Sequence, residues 1–174
     1  MNTTRVHRGF HKSFEYSFKD TLGIHIPRLL ESNPDYRLII TGHSMGGALA
    51  TLCTTYLAAV MNIRATSLIT FGAPRVGNVD FSHWFETLNI LSYRFTHGRD
   101  IVPHLPLNVY DYLRFRHIPR EIWQPNGVNA TVQHVCDTSG EDPLCSDSLY
   151  FALSISDHIH YLGSKIGTSE CVLP

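Results

Sequence analysis

The stretch Arg37–Leu52, RLIITGHSMGGALATL, decides how this chain is read. Before Ser44, LIIT is apolar and β-branched and predicts a short buried strand. After it, MGGALATLCTTYLAAVMN holds strong helix formers and almost no charge, and predicts a buried helix. A chain passing from strand to helix across so few residues must turn sharply. Gly42, Gly46 and Gly47 permit that turn, because glycine tolerates unusual backbone angles and close neighbours.

Outward from this junction, more elements emerge. From His11 to Ser32, apolar residues recur at Phe14, Phe18, Leu22, Ile26 and Leu30, predicting one amphipathic helix that Pro27 kinks or divides. Asn33-Pro34-Asp35 ends it. Downstream, SLITFGAP (67–74) predicts a second short strand, FSHWFETL (81–88) a short helix and LSYRFTHGRD (91–100) a third strand. This alternation predicts an α/β fold with a mostly parallel sheet. Leu107–Val135 reads as loops and extended pieces, and SLYFALSISDHIHYLG (148–163) opens ambiguously between helix and strand. No repeat or linker divides the chain, so residues 1–174 read as one domain.

Composition narrows the function classes. Hydrophobic residues make up 43% and charged residues 17% of the 174, a globular balance with a core. The net charge is −1 and no basic stripe is present, which argues against a nucleic-acid partner. No apolar run spans a bilayer, and the opening MNTTRVHRGF lacks the apolar stretch of a secretory signal. The eleven histidines form no H-E-x-x-H pattern and the four cysteines no C-x-x-C, so no metal site is expected. Cys136 and Cys145 bracket the polar loop DTSGEDPL, where a disulfide would close a turn. Cys53, within the apolar helix, reads as a buried thiol, and Cys171 has no evident partner. Asn2-Thr3-Thr4 and Asn129-Ala130-Thr131 are glycosylation triplets of low specificity.

GHSMG is G-x-S-x-G, here between a predicted strand and a predicted helix, the context that gives this motif meaning. Such a turn lifts the Ser44 hydroxyl above the sheet edge. It also aims the start of the helix, and with it the Met45 amide, at a developing oxyanion. A serine hydroxyl needs a base, and the base an orienting carboxylate, in the chain order serine, acid, histidine. Asp100 follows a predicted strand end, where sites gather in open α/β sheets; a plain turn role in GRD fits it equally well. Asp80 and Asp111 are its rivals and read as turn or cap residues. SDHIHY offers His158 and His160 as bases, with His134 as an outside candidate. A phosphate-binding loop is disfavoured, because GHSMGGA lacks the required lysine.

Taken together, VHRGF, PDYRLIITGHSMGGALA, ITFGAPRVGN, YRFTHGRDIVPHLP, HIPREIW and DHIHY resemble, in order, the fungal-type class 3 lipases, a branch of the α/β-hydrolases. The resemblance implies an α/β-hydrolase-type sheet flanked by helices and a secreted, extracellular serine hydrolase needing no cofactor. It implies a substrate among acylglycerols or related esters, met at a lipid–water interface. It assigns Ser44 as nucleophile, Asp100 as acid and His158, three residues before Tyr161, as base, with the Met45 amide as oxyanion donor. It implies substrate-binding roles for His43, Pro74 and Val102, and matches the Cys136–Cys145 bridge to one in some members. Family catalytic domains continue well before VHRGF, through the first strands, a helical lid, a second oxyanion donor and a partner for Cys171. The expectation is therefore an N-terminally truncated, partial catalytic domain, with any signal sequence lying upstream. A feruloyl-type esterase and a catalytically impaired remnant are the alternatives.

Overall fold

A computed structural model describes residues 4–108, 114–125 and 132–167. Asp111, Asn2, Asn129 and Cys171 lie outside the described residues. The elements run α1 (Arg8–Ser17), α2 (Lys19–Ser32), β1 (Ile39–His43), α3 (Met45–Ala59), β2 (Ser67–Phe71), β3 (Gly77–Asn78), α4 (Val79–Thr87), β4 (Leu91–His97), β5 (Phe115–Arg116), β6 (Glu121–Gln124), β7 (His134–Val135), α5 (Ile155–His158), β8 (His160–Tyr161) and β9 (Ser164–Lys165).

Five strands form the main sheet in the order β1-β2-β4-β6-β7. The pairings β1–β2, β2–β4 and β4–β6 are parallel, and β6–β7 is antiparallel. Registers such as Gly42↔Thr70 and Phe71↔Phe95 bring the carboxyl ends of the central strands to one level. This is the mostly parallel α/β sheet the sequence pattern predicts. Its crossover helix α3 is apolar all round and buries Ala48, Leu52, Cys53 and Leu57, among others, against β1 and β2. On its outer side, α1 packs Phe14 edge-on to Tyr56, with ring centroids 5.7 Å apart.

Two local expectations are corrected. The N-terminal helix does not divide at Pro27, which sits inside α2; the break falls at Phe18, with φ −129° and ψ −36°. Helical hydrogen bonds flank that break (Phe18 N to the Phe14 carbonyl, Leu22 N to the Phe18 carbonyl), so the chain bends where Phe14 anchors α1 on α3. Beyond it α2 buries no residue completely, lays Leu22 and Ile26 against the core, and continues through Pro27 to Ser32. Nor is LIIT fully buried. Ile40 is 9% exposed but Ile39 53%, because among the described residues β1 has a neighbour on one side only.

Cys136 and Cys145 form a disulfide across the loop. Glu141 within that loop grips the buried Arg75 through two bonds, Nε to Oε1 at 2.8 Å and Nη2 to Oε2 at 2.7 Å. Arg75 also donates to the Pro106 carbonyl, tying the loop to the chain just after the third predicted strand. Closing so short a loop restricts the unfolded chain by about 2–3 kcal/mol. Reduction, or a Cys136→Ser/Cys145→Ser pair, is expected to lower the melting temperature by roughly 4–10 °C, measured by calorimetry with and without reductant. Cys53 is a buried thiol whose ionisation burial pushes up to about 11, so it stays protonated and unreactive at neutral pH.

Candidate active site

Ser44 occupies the single residue between β1 and α3, with φ +56° and ψ −130°, a conformation that side-chain-bearing residues rarely adopt. The turn holds it through Ser44 N donating to the Phe71 carbonyl at 2.9 Å, and Gly47 N donating back to the Ser44 carbonyl at 2.9 Å. Met45 opens α3, so its amide lacks an intrahelical acceptor and lies at the positive end of the helix.

Asp100 follows β4 and is 2% exposed. Its Oδ1 accepts from the Val102 amide at 2.8 Å, and its Oδ2 from the Tyr161 hydroxyl at 2.6 Å and from His158 Nδ1 at 2.9 Å. His158 ends α5, is 8% exposed, and places Nε2 2.8 Å from Ser44 Oγ. A carboxylate accepts only, so Nδ1 carries the imidazole proton and Nε2 is left to accept from the serine hydroxyl. Ser44, His158 and Asp100 thus make one hydrogen-bonded chain at the carboxyl ends of the parallel strands.

The rival candidates lie elsewhere. Asp80 is in the first turn of α4, beside the cap residue Asn78. His134 sits on β7 against Trp123, and His160 turns Nδ1 back to the Ser156 carbonyl. His43, at the end of β1, donates Nε2–H to the His158 carbonyl at 2.7 Å, with the two rings 4.6 Å apart. Pro74 is buried, and Val102 contributes its amide to Asp100. An open groove of about 440 Å³ is walled by Ile101, Leu105, Leu107, Tyr150 and Leu153, with Arg75 among its lining residues; neither Pro74 nor Val102 lines it.

Sequence reasoning left Tyr161 as a spacing marker only. Its hydroxyl is held protonated, because burial first and the Asp100 carboxylate second push its ionisation well above the usual tyrosine range. It therefore remains a donor to Asp100. The three-residue step from His158 to Tyr161 was the available signal. Among the described residues, one cluster has metal-ligand spacing, Cys136, Asp142 and Cys145, and both of its sulfurs are in the disulfide.

Buried His117 donates Nε2–H at 2.7 Å to the carbonyl of Pro103, three residues after Asp100. Burial, then Arg94 and Arg75, hold its ionisation well below the usual histidine value of 6.5. The folded protein therefore binds fewer protons than the unfolded chain below that value, so stability is complete above it and is lost as pH falls. The loss is expected to reach up to about 1.4 kcal/mol per pH unit below pH 6.5. Denaturant titrations of wild type and His117→Asn should show the slope flattened in the variant.

The sequence model of the family described as Lipase (class 3) matches residues 1–110. A lipase from Rhizopus niveus is 35% identical over 167 residues, covering 94% of this chain and 41% of its own length. The crystal structure of a lipase from Rhizopus microsporus var. chinensis superposes with a TM-score of 0.85 at 35% identity, covering 96% of this chain and 57% of that one. A second solved structure, of a triacylglycerol lipase whose catalytic centre is a serine protease triad, gives 0.85 at 35% identity over 94% of this chain and 61% of its own. The chain thus spans roughly half the length of these proteins.

Proposed function

This chain belongs to the class 3 lipase family, and from that premise we propose that it carries the catalytic machinery of a carboxylic ester hydrolase of the triacylglycerol lipase type. The unbroken hydrogen-bond chain from Ser44 through His158 to Asp100 carries this reading. His158 Nε2 takes the Ser44 proton as Oγ attacks the ester carbonyl carbon. The tetrahedral oxyanion meets the Met45 amide at the start of α3. On collapse, the C–O bond to the alcohol breaks and the imidazolium gives that alcohol its proton, leaving an acyl-serine. A water molecule, deprotonated by the same nitrogen, then releases the carboxylic acid and restores Ser44. Asp100 stabilises the imidazolium throughout, and Tyr161 and the Val102 amide keep its carboxylate in place.

Acylglycerols and related esters are the proposed substrates, met at a lipid–water interface. Exposed Tyr150, Phe151, Leu153 and Ile155 lead directly into the helix that ends at His158 and offer an apolar face there. The disulfide suits an oxidising, extracellular compartment. The test is labelling of the purified chain by a fluorophosphonate probe. Adduct on the peptide containing Ser44, absent in Ser44→Ala, is the expected result. Folded, unlabelled wild type would instead identify a catalytically impaired protein.

A further inference from the structure

The geometry points to Asp157 as a positioning residue that sets the register between acid and base. This rests on the triad reading above. The helix that presents His158 spans four residues, too few to hold its own place. Asp157 is fastened at three points. Its amide donates to Ser154 Oγ at 3.0 Å, its carbonyl accepts from His97 Nδ1 at 3.2 Å, and its carboxylate Oδ2 accepts from the Arg99 amide at 2.8 Å. The last bond is the informative one, because it joins the residue before the base to the residue before the acid.

The surrounding backbone is built to admit that carboxylate. Gly98 adopts φ +50°, and a Cβ there would overlap Asp157 Oδ2. Ser154 N donates to the Arg99 carbonyl at 2.9 Å, and Asp100 and Ser154 form a parallel bridge. The Arg99 side chain donates Nε and Nη2 to the Phe151 carbonyl, at 3.0 and 2.7 Å. The segment carrying the base is thus laced to the turn carrying the acid, and Asp157 supplies the tie nearest both. Asp157 acts through His158 and Asp100 and touches neither Ser44 nor the reacting carbon. A shift of about 1 Å at such a base can cost up to ~100-fold in rate.

The test separates hydrogen-bond geometry from charge. Fluorophosphonate acylation is followed as a function of probe concentration for wild type, Asp157→Ala, Asp157→Asn and Asp157→Glu, with thermal melts in parallel. Asp157→Ala is expected to lower the limiting acylation rate by roughly 10- to 100-fold, with half-saturation changed less than about twofold. Asp157→Asn retains an acceptor of the same reach and is expected to return within about threefold of wild type. Asp157→Glu retains the charge but not the reach and is expected to remain impaired. Comparison of the Asn and Glu variants still decides the matter if the Ala variant fails to fold. Equal rates in all four proteins, or Glu restoring better than Asn, would overturn the inference while leaving the triad reading intact. An unlabelled wild type would instead remove the triad reading itself.

Discussion

His158→Ala is expected to lower ester turnover by on the order of 10⁴- to 10⁶-fold while the protein stays folded. In the proposed mechanism the imidazole carries every proton transfer of acylation and deacylation, and nothing else described near Ser44 can take its place. His43 precedes Ser44 in the chain, but its Nε2–H is committed to the His158 carbonyl. Most of the loss should appear in kcat, because the proton transfers occur in the transition state, and KM should change little. His160→Ala and His134→Ala serve as controls. One ring turns back to Ser156 and the other lies on β7, so neither should change turnover more than about twofold. Hydrolysis of a short-chain chromogenic ester by the four proteins measures this directly, and a loss in His160→Ala matching that in His158→Ala would reassign the base.

Gly42→Ala is expected to remove about 3 kcal/mol or more of stability, through packing rather than chemistry. A Cβ at Gly42 would overlap the carbonyl of Gly46, and Gly47 N would lie 2.8 Å away. Both obstacles are backbone in the first turn of α3 and cannot rotate aside. Relief would require the strand and helix to separate, undoing the elbow that gives Ser44 its φ of +56°. The expected readout is a fall in melting temperature of roughly 6–12 °C, or loss of soluble protein, together with loss of probe labelling at Ser44. Gly46→Ala is the matched control. A Cβ there meets nothing within 4 Å, so that variant should melt within about 2 °C of wild type.

The elbow was legible in the sequence because it is local. Strand, serine and helix are contiguous from Arg37 to Ala59, and the glycines report the turn wherever the rest of the chain goes. Hydrophobic periodicity likewise marked the alternation of strand and helix that makes a parallel sheet. Periodicity failed where neighbours set the outcome. Whether Ile39 is buried depends on a strand beside β1, and whether the first helix breaks at Phe18 or Pro27 depends on where α3 receives Phe14. Spacing within the chain left Asp100 level with a turn role and His158 level with His160; the family resemblance favoured one of each.

The sequence by itself determined the α/β architecture, the sharp turn at Ser44 and the family, each written in contiguous residues or in segments kept in order. Only the tertiary structure decided which groups meet. Ser44 and His158 are 114 residues apart, and His158 and Asp100 are 58 apart. Their contact rests on the parallel pairing of β1, β2 and β4 and on the lacing of Asp157 to Arg99. Hydrogen bonds of under 3 Å depend on positions in space, and those are set by packing between elements that no single stretch of sequence contains.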